Sequence, residues 1–304
     1  MKRVLILGGS GMLGSMIVDY LESTHFYDLT ATVRDSDLLV KCKSILPSVN
    51  WINFNVLDYL SDRAFDNFAD YDFVINCIGI TKPYCKDDNA EQIENAVKIN
   101  SLFPHYLGKW AKKNKTIVLQ IATDCVYSGK KGNYNENDEF DPTDVYGKTK
   151  SLGEVYIDSV KNLRCSIIGP EFKTQAFLLE WVLKQEEGST INGFTNHFWN
   201  GLTTLHFAKI CDGIMKNDVE LNHIQHIIAE NILSKYDMVS KIAQSYNKNI
   251  IINPVDTPSS IDRTLNTKNT DLNKLLWNYA GYDEIPGVDD MIVELSTFNY
   301  RFKR

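Results

Sequence analysis

The chain has 304 residues, 43% of them hydrophobic and 23% charged, which suits a packed protein with a sizeable core rather than a disordered or fibrous one. A formal net charge of −7 excludes a general nucleic-acid binder, which needs clustered Lys and Arg to displace counterions from phosphates. No apolar stretch approaches the roughly 20 residues that span a bilayer, and the run at 4–7 is too short for a secretion signal, so the expectation is a cytoplasmic protein with no membrane partner.

Residues 4–7 are continuously apolar and lead into Gly8-Gly9-Ser10-Gly11-Met12-Leu13-Gly14, after which Ile17, Val18 and Leu21 keep helical spacing. A strand that ends in G-x-x-G-x-x-G and enters a helix is the context of a dinucleotide site. Gly8 permits the tight turn, Gly11 lets backbone approach a pyrophosphate, and Gly14 allows close helix packing. The N–H groups of Ser10 to Leu13 would face the anion without a lysine. The alternative is a purely structural turn. A second strand, 29–33, ends at Arg34-Asp35. Arginine there can hold a 2′-phosphate and favours NADP(H), while Asp35 keeps NAD(H) open.

Further strands are expected at 51–54, 73–78, 117–122 and 165–168, the last closed by Gly169-Pro170. Helices are expected at 90–113, kinked at Pro104, and at 146–160. Continuous apolar strands alternating with helices imply an α/β protein with a parallel sheet covered on both faces and ligands at the carboxyl ends of the strands. After Pro170 the pattern weakens. Helices near 175–185, 205–215, 233–246 and 272–280, and a strand at 224–228, suggest a smaller α/β domain over 171–304. The first domain then spans 1–170, with part of 201–232 packing back on its sheet. Cys42, Cys77, Cys85, Cys125, Cys165 and Cys211 form no C-x-x-C pair and read as reduced thiols, so no metal site is expected.

Tyr146-Gly-Lys-Thr-Lys150 places a phenol and an ammonium at i and i+4 on one helix face. A cation beside tyrosine favours phenolate, so the pair can pass a proton to or from a carbonyl oxygen, although a surface pair has the same spacing. Thr123 would offer a hydroxyl at the carboxyl end of the fifth strand.

In company these pieces resemble the extended short-chain dehydrogenase/reductase family. They are Gly8, Gly11 and Gly14; Asn76 to Gly79; Asn100; Thr123 with Val126-Tyr127; Pro142 before Tyr146-Gly147 and Lys150; Glu154; and Arg164 leading to Gly169-Pro170. The resemblance implies a doubly wound Rossmann sheet with Tyr146 as acid/base. Lys150 would hold the nicotinamide ribose and depress the tyrosine pKa, and Thr123 would bond the substrate oxygen. Asn100 would order a helix and a water near the lysine. Cofactor contacts would come from Cys77, Ile78, Gly79 and Asn55, which stands where the family often has Asp, and Arg164 would be structural. Thr123-Asp124-Cys125 lacks the glutamate of the family's dehydratases, which points to a reductase of the C4 carbonyl of a nucleotide-linked 4-keto-6-deoxy sugar. An epimerase and a non-catalytic NADP-binding subunit stay open. Candidate substrate residues are Asp124, Cys125 and Tyr127, with His197, Trp199 and Asn200 from a polar-aromatic loop, for which packing of Phe198 and Trp199 in the small domain is the better account. A homodimer is compatible with all of this.

Overall fold

A computed structural model describes residues 1–304 except 62–64, 66, 67, 69, 174 and 304. Seven parallel strands form the central sheet: β1 (Lys2–Leu7), β2 (Tyr27–Val33), β3 (Asn50–Asn53), β4 (Phe73–Asn76), β5 (Ile117–Thr123), β6 (Val160–Cys165) and, from much later in the chain, β11 (Ile224–His226). Their order is β3-β2-β1-β4-β5-β6-β11, so the sheet reverses direction of growth between β1 and β4. Ligands of doubly wound sheets bind at that switch point. β1 shows why its strands read as unbroken apolar runs: Val4 and Ile6 enter one buried cluster and Leu5 and Leu7 the other, one on each face.

Helices α1 (Met12–Thr24) and α2 (Ser36–Ile45) follow β1 and β2. The long helix expected at 90–113 is three pieces: α3 (Ala90–Ala96), a π-helical stretch Val97–Leu102, and α4 (Phe103–Asn114). Pro104 stands in the first turn of α4 and brings no N–H for the carbonyl four residues back, which belongs to Asn100.

The helix expected at 146–160 ends early. α5 spans Val145–Leu152 and ends at Gly153, where only glycine fits because a Cβ would sit 1.8 Å from the Asn100 carbonyl oxygen, and the chain turns there to enter β6 at Val160. The strand expected at 165–168 therefore starts earlier and stops at Cys165. β7 (Ile167–Ile168) pairs instead with β10 (Leu202–Thr203) in a separate two-stranded sheet. β4 stops at Asn76, whose Oδ1 accepts from the Ile78 N–H.

Beyond β7 lie α6 (Leu178–Leu183), β8 (Thr190–Phe194), β9 (His197–Trp199), α7 (Thr204–Lys216), β12 (Leu233–Ser234) and α8 (Lys235–Ser245). Then come β13 (Ile251–Val255), β14 (Ile261–Asp262), α9 (Thr270–Tyr279) and α10 (Val288–Thr297). The polar-aromatic stretch expected as a loop is mostly strand: β8 pairs with β13, and β9 pairs with β12 and β14. The helix expected from 233 starts at Lys235, since Leu233 and Ser234 pair with β9, and a capping box of Ser234 and Asp237 sets its first turn. Between α7 and β12 the chain returns to the large sheet: β11 pairs with β6, and the Tyr27 hydroxyl donates to Asp212 of α7 at 2.7 Å. Among the described residues no helix is long and apolar enough to cross a membrane.

The sequence pattern did not reveal how the end of the chain locks onto the first half. Arg301 pairs with Asp19 at 2.5 Å and Glu22 at 2.6 Å on α1, and the Tyr300 and Ser15 hydroxyls lie 2.6 Å apart. Phe302 is fully buried, edge-on to Trp51 at 6.1 Å and Phe172 at 5.2 Å. Phe302→Ala is expected to cost about 3–5 kcal/mol of unfolding free energy by urea titration. A loss under about 1 kcal/mol, the size of a surface change, would show that this anchor is dispensable.

Candidate active site

The glycine run forms the turn between β1 and α1. Gly8 adopts φ +81°, a region side-chain-bearing residues rarely enter, and its N–H donates to Thr32 Oγ1 at 2.8 Å. A Cβ on Gly14 would lie 2.2 Å from the Gly8 carbonyl oxygen, so α1 packs directly on the turn. Gly11 caps α1 with no side-chain bond, and the first turn holds no acid. With Ser10 and Leu13 buried and Met12 partly so, the helix start presents backbone N–H groups and the positive end of its dipole. That backbone cradle fits a dinucleotide diphosphate.

Next along the sheet edge, the Asp35 carboxylate accepts the Leu38 N–H at 2.9 Å and caps α2, while Arg34 stays exposed. The cap uses one oxygen of the acid that would suit a ribose 2′-hydroxyl, and the exposed guanidinium beside it suits a 2′-phosphate. Asn55 also serves as a cap: its Oδ1 accepts the Leu57 N–H at 3.3 Å. Across the switch point, the Cys77 N–H extends β4 by donating to Leu7 O at 3.0 Å. A Cβ on Gly8 would reach the Ile78 side chain at 3.0 Å, so the two turns touch, and Gly79 follows beside Asn100.

Thr123 ends β5, and its hydroxyl donates to Asp124 Oδ1 at 3.1 Å. Asp144 caps α5 by accepting the Gly147 N–H at 2.8 Å, and Asp87 takes the Val145 N–H at 2.8 Å. These caps fix the first turn of α5, which packs against β5 and carries Tyr146 near the Thr123 hydroxyl. Only glycine fits at 147, because a Cβ would come 2.2 Å from the Cys125 carbonyl oxygen. One turn on, the Lys150 ammonium donates to Ile121 O at 2.8 Å. Asn100 is buried beneath: its amide donates to Ile80 O at 2.9 Å and Thr149 Oγ1 at 3.1 Å, and accepts the Ile80 N–H at 2.8 Å.

Electrostatics differ from the expectation of a cation-depressed phenol. Burial pushes the Tyr146 phenol up, with Cys125 adding to the rise and the Thr123 hydrogen bond opposing it. Lys150 is turned toward the Ile121 carbonyl. Burial pulls its ammonium down to about 8, and the Glu154 carboxylate pulls it back up. A protonated phenol, half-buried at the wall of the site cavity, can give up its proton when negative charge appears on an oxygen in front of it.

The candidate substrate residues separate into three groups. Asp124 and Cys125 follow Thr123 directly and face the site. Burial raises the Asp124 carboxyl against the opposing pull of Arg263, Lys235 and Lys82, and pushes the Cys125 thiol up to about 12. Trp199 is buried on β9 with the Lys235 ammonium 5.5 Å above its ring, and His197 stays partly exposed 2.9 Å from Thr257 Oγ1. Tyr127 and Asn200 are corrections. The Tyr127 hydroxyl is fully buried, bonded to Arg164 at 2.8 Å and Asn135 O at 3.0 Å. Both ends of the Asn200 amide bind the backbone of Leu265, at 2.7 and 2.9 Å. In each case internal partners use the polar atoms that a sugar would need.

Sequence reading missed Lys82, Lys235 and Arg263. Lys82 pairs with Asp144 at 2.7 Å and, with Cys85, Asp87 and Tyr146, lines a cavity of about 400 Å³ at the mouth of the site. Its position just after Asn76 to Gly79 was a usable signal; Lys235 and Arg263 had none, because they arrive on α8 and after β14. Among the described residues no group of His, Cys, Asp and Glu converges in a way that could hold a metal ion.

This geometry has relatives. A dTDP-4-dehydrorhamnose reductase of Aggregatibacter actinomycetemcomitans is 30% identical over 156 residues, 51% of this chain, and the chain spans only about half of that protein's length, 46%. A methionine adenosyltransferase 2 subunit beta of Danio rerio is 25% identical, covering 81% of this chain and 74% of its own. Among solved structures, a dTDP-4-dehydrorhamnose reductase of Bacillus anthracis in complex with NADP superposes with a TM-score of 0.72 at 17% identity, covering 97% of this chain and 98% of that one, which shows the shared fold. The family described as RmlD substrate binding domain matches residues 1–292, and the chain belongs to that family.

Proposed function

We propose that the protein is an NADPH-dependent reductase of the C4 carbonyl of a nucleotide-linked 4-keto-6-deoxy sugar. The observation that carries the reading is the placement of Thr123 at the carboxyl end of β5, with Tyr146 and Lys150 on the helix packed against that strand, in the same sheet whose β1 runs into the backbone cradle of Gly8, Gly11 and Gly14. In this reading residues 1–170 hold the cofactor. The rest serves the substrate, apart from the part of 201–232 that rejoins the sheet through β11. The relatives named as reductases support the substrate class, and the capped Asp35 beside an exposed Arg34 supports NADPH.

A reduced nicotinamide dinucleotide supplies the hydride when bound. The chain's own residues then handle the charge: the Thr123 hydroxyl turns its proton from Asp124 to the carbonyl oxygen, and Tyr146 Oη passes its proton to the alkoxide as it forms. The Lys150 ammonium keeps positive charge behind the phenol as it becomes phenolate. Asp124 and Cys125, with no glutamate following, provide no second acid/base pair for eliminating water.

The test mixes purified protein with NADPH and nucleotide-linked 4-keto-6-deoxy sugars and follows the nicotinamide absorbance. Stoichiometric loss of NADPH supports reduction, and product without net oxidation identifies an epimerase. The relatives named as methionine adenosyltransferase subunits favour a second reading, a subunit that binds the cofactor within a larger assembly, and cofactor binding without turnover across the panel would select it. Arg34→Ala is expected to weaken NADPH binding about tenfold and leave NADH unaffected, by fluorescence titration. Equal losses for both cofactors would remove Arg34 from the 2′-phosphate site.

A further inference from the structure

One buried network outside the reacting groups joins both segments that carry them. Glu154, four residues beyond Lys150, accepts from Arg164 Nε at 3.0 Å and Nη2 at 2.5 Å, and both side chains are almost wholly removed from water. The other terminal nitrogen of the guanidinium, Nη1, donates to the Tyr127 hydroxyl at 2.8 Å and to His226 Nε2 at 2.6 Å. Tyr127 lies four residues past Thr123, and its hydroxyl donates in turn to Asn135 O at 3.0 Å, inside the loop that leads to α5. The guanidinium also stands 5.3 Å from the Tyr127 ring centroid and 5.0 Å from that of Phe140, in the same loop.

The network has one charge state. A guanidinium only donates, so His226 Nε2 accepts and the ring is neutral, with Nδ1 donating to Asn266 O at 2.7 Å. Burial and the Arg164 charge hold that histidine down to about 4, so it stays neutral through the physiological range. The carboxylate that balances Arg164 at bonding distance is Glu154.

We propose that the buried Glu154–Arg164 pair is a positioning device for Lys150: it ties the turn that follows α5 to β6 and, through Tyr127, to the segment after Thr123, and it keeps a carboxylate four residues from the ammonium. A buried ion pair is a costly way to gain stability, since the desolvation of two charges offsets their attraction, and apolar residues of similar volume often do as well. Its placement has a use here. Lys150 sits in a dry site that favours the neutral amine, and Glu154 opposes that tendency. The other titratable groups near Lys150 are the Tyr146 phenol one turn back on the same helix face and the Cys77 thiol just past β4, and burial keeps both protonated and uncharged near neutral pH.

The role in reduction rests on the reading above, but the test reads Lys150 itself. Lysine labelled with carbon-13 at Cε is followed by NMR against pH, with Lys150 assigned through Lys150→Met. The double variant Glu154→Gln with Arg164→Met removes both charges and leaves no lone buried ion. Its Lys150 midpoint is expected to fall by about one pH unit from the parent's value near 8. An unchanged midpoint overturns the proposal. Should the double variant fail to fold, Glu154→Asp keeps a paired carboxylate drawn back by one methylene, and a midpoint equal to the parent's overturns the proposal equally. In the reductase assay the alkaline fall of kcat should move by the same amount, whereas a merely structural role would lower kcat at every pH without moving it. Absence of turnover in the parent protein would count against the reductase reading and leave the NMR result standing.

Discussion

Tyr146→Phe is expected to lower the rate of carbonyl reduction about 10³-fold, within the range that a positioned general acid contributes, while NADPH binding stays unchanged. The phenol is the group within reach of Thr123, and burial keeps it protonated, so the ring without its hydroxyl retains the packing and loses only the proton. The sign of the pH dependence follows from the same groups. The tyrosine is raised and does not titrate near neutrality, so the alkaline limb belongs to Lys150, and turnover should fall as pH rises through about 8. Stopped-flow measurement of NADPH oxidation with a nucleotide-linked 4-keto sugar checks both statements. A Tyr146→Phe protein retaining more than about a tenth of the parent rate would remove Tyr146 from the acid role.

Gly14→Val is expected to be the most damaging single change to cofactor binding. The first atom added lies 2.2 Å from the Gly8 oxygen and 2.8 Å from its carbonyl carbon, and backbone cannot swing aside as a side chain can. The turn that aims the N–H groups must shift, at a cost of about 1–3 kcal/mol for overpacking and with an affinity loss on the order of 100-fold. Fluorescence titration with NADPH and a thermal melt separate the two effects. A variant that melts lower yet binds NADPH as tightly as the parent would show that the turn is not the cradle.

The first half of the fold was legible because its signals are short-range. Apolar runs at 4–7 and 117–122 mark strands buried on both faces, and Gly8, Gly11 and Gly14 answer steric demands made within a few residues. The errors came where a distant contact overrode a local pattern. The helix from Tyr146 ends at Leu152, where Gly153 packs close to the Asn100 carbonyl and the chain turns toward β6, and the stretch near His197 is strand because β12, β13 and β14 arrive to pair with β8 and β9. The last helix, α10, went unseen. The structure shows its Glu294 accepting from Tyr282 at 2.7 Å and lying 3.1 Å from His206 of α7, a contact between segments far apart in the chain.

Site residues divide in the same way. Spacing alone placed Tyr146 and Lys150 on one helix face and Thr123 at a strand end, because helix period and strand polarity are local geometry. It could not tell that the polar atoms of Tyr127 and Asn200 are spent inside the protein, nor that Lys82, Lys235 and Arg263 gather around Asp124. By itself the sequence indicated most of the sheet, the glycine turn and the candidate reacting side chains, since each depends on neighbours within a turn or a strand. Which charges surround those side chains, and which hydroxyls and amides remain free to meet a ligand, was decided only by the tertiary structure. Burial and pairing of this kind are set by side chains that meet across the whole length of the chain.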